Sequence, residues 1–413
     1  MRAIRIIAGV GALMVGGVSS LVAQNAAVVL PPPRPDTAYD AVRLLVARLD
    51  LERYKATIKG LTKFGDRRQG TDRNRAAADW IEAQLRSYGC AGIERLTYEY
   101  QPPSRDSVAR AAAAAAARLA GLTAASQGGG RTRAIRTRTG VNVDSLAQKD
   151  PVLRAVNAQP TTPGERQEVY CTKVGNTHPE EMYIVGAHMD GHGWGEAAND
   201  DGSGTALVME LARILSMPDV RTERSIRFAL WNNEETGLNG ARAYVAQRQA
   251  LQGKEMPIGS GKYPEPRWLG MIQHDMMLFD HGMPRPDGTI PPEQRPEADV
   301  NIEFQSRSKM AAESQRLAWL FQDANEKYAT DYPAAVGQHM TNTDSAPFQD
   351  IVAAISLREN ERGPQIGAGW DPTWHQTSDV YATFSDRDFR LGLNAAQTTL
   401  SALALLVGTS LAR

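Results

Sequence analysis

His188, Asp200, Glu235, Asp275 and His375 each carry an imidazole nitrogen or a carboxylate oxygen, the donors that zinc takes from proteins. Each alone is a weak sign. A histidine beside a strand is more often a hydrogen-bonded structural residue, and Asp200 by itself passes for a helix cap. Adjacent Glu234 and Glu235 read as a solvated pair in a first helical turn. The setting changes the balance. Ala197-Ala198-Asn199-Asp200-Asp201-Gly202 and Trp231-Asn232-Asn233-Glu234-Glu235 put acids directly behind apolar residues, and burying such acids without a cation is costly. The set points to a metal centre with a position left for water.

The elements that must position these residues follow from periodicity. The apolar runs 182–187 and 226–231 suit buried strands, and helical patterns occupy 205–216 and 237–249. Strand, acidic turn, helix, repeated, is the form of an α/β fold with a mostly parallel twisted central sheet and helices on both faces. Such sheets bind ligands outside the carboxyl ends of their strands. A helix is expected from about 39, with Val42, Leu45, Val46 and Leu49 on one side, and another over 74–88 through Ala78, Ile81 and Leu85. The first strand is expected over 92–100, where Leu96, Tyr98 and Tyr100 alternate. Residues 268–278 read as a strand carrying Asp275, from which His274 alternates away. Residues 280–299 read as a loop, 309–328 as a helix, 351–357 as a strand, 363–374 as a loop leading to His375, and 384 onward as a final helix.

The chain has 413 residues, with Lys+Arg 46 against Asp+Glu 47 and a formal net charge of −1. That balance gives no electrostatic reason to expect nucleic acid as a partner. Arg2 and Arg5, an apolar run, and small residues up to Ala23 and Gln24 read as an export signal over 1–24, against an uncleaved anchor. The expected location is periplasmic or extracellular, with no membrane association after cleavage and no obligate protein partner evident. Residues 25–38 are a Pro-rich tether and 39–413 one domain. Within it, about 102–165 holds an Ala run, Gly128-Gly129-Gly130 and scattered Arg and Thr, and reads as a surface insertion, part helix and part disordered. A small gating subdomain is the alternative. Cys90 and Cys171 make either one disulfide or two buried thiols.

Five motifs in order, HMD at 188–190, NDDGSG at 199–204, NNEETG at 232–237, HDM at 274–276 and WHQTSD at 374–379, resemble those of the double-zinc exopeptidases that include bacterial leucine-type aminopeptidases. Glutamate carboxypeptidases, glutaminyl cyclases and the transferrin receptor are relatives on that fold. The likeness covers roughly 40–410, since GDRRQGTDRNRAAADWIEAQLRSYG at 65–89 looks like that family's leading helix. The resemblance implies a phosphorylase/hydrolase-like sheet and two Zn2+ per chain. It implies that His188 and Asp275 hold one zinc, Glu235 and His375 the other, and that Asp200 bridges them. Glu234 would be the general base, and Asp190 the carboxylate that orients His188.

Two positions depart from the family pattern. Trp374 stands where a Tyr often precedes the last His, so an indole N–H replaces a phenol as candidate oxyanion donor. Thr343-Asp344-Ser345-Ala346-Pro347-Phe348 lacks the family's His, leaving Asp344 as a substrate-side candidate and Arg358 or Arg362 as a cation for substrate recognition. Among the remaining residues, His192 is either a polar loop residue or lines the site, and Asp201 is a helix N-terminal acid or backs Asp200. Asp379 either orients His375 or is a turn residue. Trp194, Trp370 and Trp374 are pocket-rim or core residues. The expected activity is an exported zinc aminopeptidase with a peptide as substrate, hydrolysed by a water shared between the two zincs with Glu234 as general base. A carboxypeptidase or dipeptidase is the nearest rival, followed by a glutaminyl cyclase and a non-catalytic binding protein.

Overall fold

The computed structural model describes residues 40–102, 140–279, 300–338, 342–359 and 371–412. The expected leader and tether, the 280–299 loop, and His281, His339, Arg362 and Trp370 lie outside these residues. Ten strands occur among the described residues: β1 Glu94–Tyr100, β2 Gly164–Lys173, β3 His178–His188, β4 Val220–Arg221, β5 Arg224–Trp231, β6 Arg267–His274, β7 Val300–Phe304, β8 Ala334–Gly337, β9 Ala354–Glu359 and β10 Ser410–Leu411. Eight form one sheet in the order β1-β2-β5-β3-β6-β9-β7-β8, while β10 pairs with β4 apart from it. The middle strands β5, β3, β6 and β9 run parallel. β1 and β2 pair antiparallel on one side, and β7 lies antiparallel to β9 on the other.

The near-continuous apolar runs follow from burial on both faces. In β3, Tyr183, Val185 and Ala187 enter the large core with the helices Gly202–Leu215 and Asp386–Leu406. Met182 and Ile184 point the other way, into a second cluster with Tyr244, Trp268 and Phe348. From β3 the chain crosses to β5 on one side, and from β5 it returns past β3 to β6 on the other. The reversal opens a crevice at the carboxyl ends of β3 and β6, where α/β sheets place ligands.

The structure departs from the sequence reading in four places. The pattern from 39 is a short helix, Ala41–Val46, followed by a second, Leu51–Thr62. The Asp40 and Asp50 carboxylates each cap a separate helix start, which divides the two. β6 stops at His274, so Asp275 sits in the turn beyond the strand. β2, β7 and β8 carry too little alternation to have stood out. The described part of the expected insertion, from 140, holds a turn of 3-10 helix at Ser145–Ala147 and the helix Pro151–Asn157, and residue 164 already begins β2. It has no core of its own, and its polar side chains tie it to the loops at the crevice. Cys90 and Cys171 are joined in a buried disulfide with Cα atoms 6.1 Å apart. No helix among the described residues is long and apolar enough to cross a membrane.

Candidate metal centre

Three strand ends and two loops deliver the acids and imidazoles, Asp200 lying on the loop between β3 and the helix Gly202–Leu215. β3 ends on His188, level with Trp231 at the end of β5, which is followed by Glu234 and Glu235. Asp275 follows β6, and His375 arrives on the 371–379 loop. Asp201 locks this arrangement. Its Oδ1 caps the helix Gly202–Leu215 by accepting from Gly204 N at 2.9 Å and also accepts from Met276 N at 3.2 Å, while Oδ2 accepts from His188 N at 3.1 Å. One carboxylate thus fastens the end of β3, the helix start and the turn after β6.

Asp200 lies between the two imidazoles. Its Oδ1 is 3.2 Å from His188 Nε2 and its Oδ2 3.0 Å from His375 Nε2. Glu235 Oε2 is 2.8 Å from His375 Nε2, and Asp275 Oδ1 is 3.9 Å from His188 Nε2. The five expected ligand residues therefore share one buried pocket. Glu235 Oε1 is buried there without a hydrogen-bond partner. Burial pushes the His375 imidazole down, yet Glu235 and Asp200 outweigh it and hold it at about 10. Burial likewise opposes ionisation of Glu235, but His192 and His375 bring its carboxyl down to about 2. Acids and imidazoles drawn together this strongly, with a carboxylate spanning two ring nitrogens, suit a pair of divalent cations in place of the shared protons.

Asp190 is placed differently from the expectation. His188 Nδ1 meets the Asp190 main-chain carbonyl oxygen at 2.9 Å, and the Asp190 carboxylate is 3.8 Å away. The carbonyl orients the ring, a common partner for a metal-binding imidazole. Asp190 Oδ1 instead accepts from Glu234 N at 3.0 Å. Burial pushes the Asp190 carboxyl up to about 6. Burial also holds the Glu234 carboxyl well above the usual range, with Glu235 and Asp344 adding to it against His188.

Arg358 is not available to a substrate. It is 2% exposed, and its Nη2 lies 2.8 Å from Asp275 Oδ2, so it pairs with that carboxylate from within. Asp344 is fully buried and accepts from Gln273 Nε2 at 3.4 Å, and so offers no open face either. Trp374 is half-buried and stacks on His375, with ring centroids 3.7 Å apart. Asp379 does not meet His375. Its oxygens accept from Asn199 N at 2.8 Å and Asp200 N at 3.1 Å, which fixes the backbone of the acid between the two imidazoles. Trp194 is half-buried, and its main-chain oxygen accepts from Gln148 Nε2 at 2.8 Å. His274 is buried between Gly186 O and Thr399 Oγ1, facing away from Asp275, while His178 is half-buried beside Glu180.

Sequence reasoning missed two supports. Arg67 is fully buried and donates to the carbonyls of Met189, Glu196 and Ala197 at 2.7–2.8 Å, holding the loop between His188 and Asp200. Its only signal was the polar Gly-Asp-Arg-Arg-Gln-Gly turn ahead of a helix. The second support is the 140–157 segment. Asn142 N donates to His375 O at 2.9 Å, and Asn157 Nδ2 to Gly195 O at 2.7 Å.

Known proteins bear on this geometry. The chain matches the model of peptidase family M28 over residues 168–397, more than half of its length. It is 26% identical over 257 residues to a probable lipoprotein aminopeptidase, LpqL, of Mycobacterium tuberculosis, covering 60% of this chain and 47% of that protein. It is 37% identical over 71 residues to carboxypeptidase Q of Xenopus laevis, covering 17% and 15%. This chain thus spans about half the length, or less, of these curated relatives. In fold it is similar to BSAP, a zinc aminopeptidase from Bacillus subtilis, with a TM-score of 0.55, 14% identity, and coverage of 86% of this chain and 95% of that one. The matched region contains every acid and imidazole of the pocket. The chain belongs to peptidase family M28.

Proposed function

We propose that this chain is a zinc exopeptidase that removes residues from the amino end of peptides. The observation that carries the reading is the Asp200 carboxylate lying 3.2 Å and 3.0 Å from two imidazole nitrogens inside a ring of acids. His188 and Asp275 would hold one zinc, Glu235 and His375 a second, with Asp200 common to both. A zinc pair, when bound, lowers the pKa of water and polarises a carbonyl.

The chain's own residues do the rest. Asp190 fixes the Glu234 backbone by accepting from its main-chain N–H at 3.0 Å. A Glu234 oxygen takes the proton of the attacking water and passes it to the departing amine nitrogen. Arg358 offsets part of the negative charge of Asp275. The surplus of carboxylates suits a free α-amino group. Arg358 is held inside by Asp275 and so is not free to pair with a terminal carboxylate. This favours the aminopeptidase over the carboxypeptidase reading, and the similarity to proteins described as aminopeptidases supports it. The buried Cys90–Cys171 bridge supports an oxidising, exported location.

The deciding experiment is turnover of paired peptides, one blocked at the amino end and one at the carboxyl end, with and without chelator. Cleavage of the carboxyl-blocked peptide alone, abolished by chelator, is expected. Cleavage of only the amino-blocked peptide overturns the preference.

A further inference from the structure

His192 belongs to none of the roles assigned so far, yet it lies inside the pocket. Its ring packs edge-on against His375, with centroids 4.0 Å apart and planes at 87°. His192 Nε2 is 3.1 Å from Glu235 Oε2, the oxygen that also lies 2.8 Å from His375 Nε2. That nitrogen is buried and has no aligned hydrogen bond, so the approach to Glu235 leaves its lone pair or proton unspent. His192, Glu235 and His375 each offer one ligand atom, all within 4.8 Å of one another.

The backbone on both sides is built to keep the ring there. Gly193 has φ +102, and a Cβ at that position would run into the His375 carbonyl group, so only a glycine lets the two turns touch. Asn142 bridges the same two turns, its N donating to His375 O at 2.9 Å and its Nδ2 to Gly193 O at 3.2 Å. Gln148 Nε2 secures the next residue through Trp194 O. A loop histidine with merely polar duties needs none of this.

We propose that His192 is a sixth protein donor to the metal pair, on the cation shared by Glu235 and His375. The assignment rests on the two-cation reading above. It makes the pair unequal. One position would have His192, Glu235 and His375, whose ligand atoms lie within 4.8 Å of one another, and would be completed by Asp200, whose Oδ2 is 3.0 Å from His375 Nε2; four donors fill a closed zinc site. The other has three, His188, Asp275 and Asp200, the number that leaves a place for water. The reacting water and carbonyl then belong on the His188 side, beside Glu234.

The test is a crystal structure of the full zinc-loaded chain with anomalous differences collected at the zinc edge. The expected map has two peaks, one about 2.0–2.1 Å from His192 Nε2. Two peaks with His192 Nε2 beyond about 3 Å overturn this assignment alone, and a map with no peak overturns the two-cation reading and this assignment with it. In solution, cobalt titration of the metal-free chain is compared with that of His192→Asn. One of the two binding steps is expected to weaken by at least the ~10–100-fold typical of losing a ligand's supporting partner, with a changed visible absorption band. Unchanged affinities and an unchanged band overturn the assignment.

Discussion

Replacing Arg358 by Met separates a structural ion pair from one that belongs to a metal centre. The guanidinium is 2% exposed and lies 2.8 Å from Asp275 Oδ2, with Glu303 Oε2 3.9 Å from its Nε. Met keeps the length and apolar stem but leaves the buried Asp275 charge uncompensated. Breaking a buried pair in this way costs about 3–5 kcal/mol. If Asp275 also faces a cation, zinc restores the missing positive charge, and the loss must shrink when metal is bound. The stability difference between metal-free and metal-loaded chains equals the change in zinc binding, because the cycle closes. A tenfold tighter affinity in the variant corresponds to about 1.4 kcal/mol recovered. The assay is guanidinium unfolding of both proteins in chelator and in saturating zinc, with a zinc titration of each. A loss of about 3–5 kcal/mol in chelator, smaller by at least about 1.4 kcal/mol in zinc, is expected. Equal losses under both conditions would refute the coupling of Asp275 to a cation. An unchanged stability with a raised KM would instead return Arg358 to the substrate.

Three further outcomes follow from the same geometry. Glu234→Gln is expected to keep its full zinc content and lose at least about 10²–10⁴ in kcat/KM, the usual worth of a positioned acid/base; metal analysis alongside peptide turnover checks it. Asp190→Ala is expected to lower kcat while zinc affinity holds, because the His188 ring is oriented by the Asp190 carbonyl and not by its carboxylate; a zinc titration showing lost affinity would reverse that assignment. Replacing Cys90 and Cys171 by Ala frees a loop of sequence separation 81, for which chain entropy gives a loss of about 4.5 kcal/mol; thermal unfolding with and without reductant measures it.

The sequence was most legible where burial on both faces forces unbroken apolar runs. β3 and β5 stood out for that reason, and the acids directly behind them had to end in a polar crevice. The short strands β7 and β8 and the outlying strand β2, which lies between β1 and β5, carried no such signature, because pairing with neighbours rather than apolar pattern defines them. The ligand types could be read because each sat in its own local motif. The supports could not. Arg67 and Asn142 act on main-chain oxygens more than 50 residues away, and Asp379 holds the backbone of Asn199 and Asp200 from a distant loop. Nothing local marks a side chain whose structural role lies in bonds to remote carbonyls or amides. His192 could be weighed as a residue lining the site, but its contact with His375 could not be read, since that depends on two turns that meet only in space.

The claim beneath all of this is that His188, Asp200, Glu235, Asp275 and His375 hold two cations together. Equilibrium dialysis of the metal-free chain against zinc, followed by metal analysis, tests it most directly. Two zincs per chain, falling in Asp200→Ala, is the predicted result. One zinc or none in the unaltered chain, or two that persist without Asp200 at undiminished affinity, would contradict it.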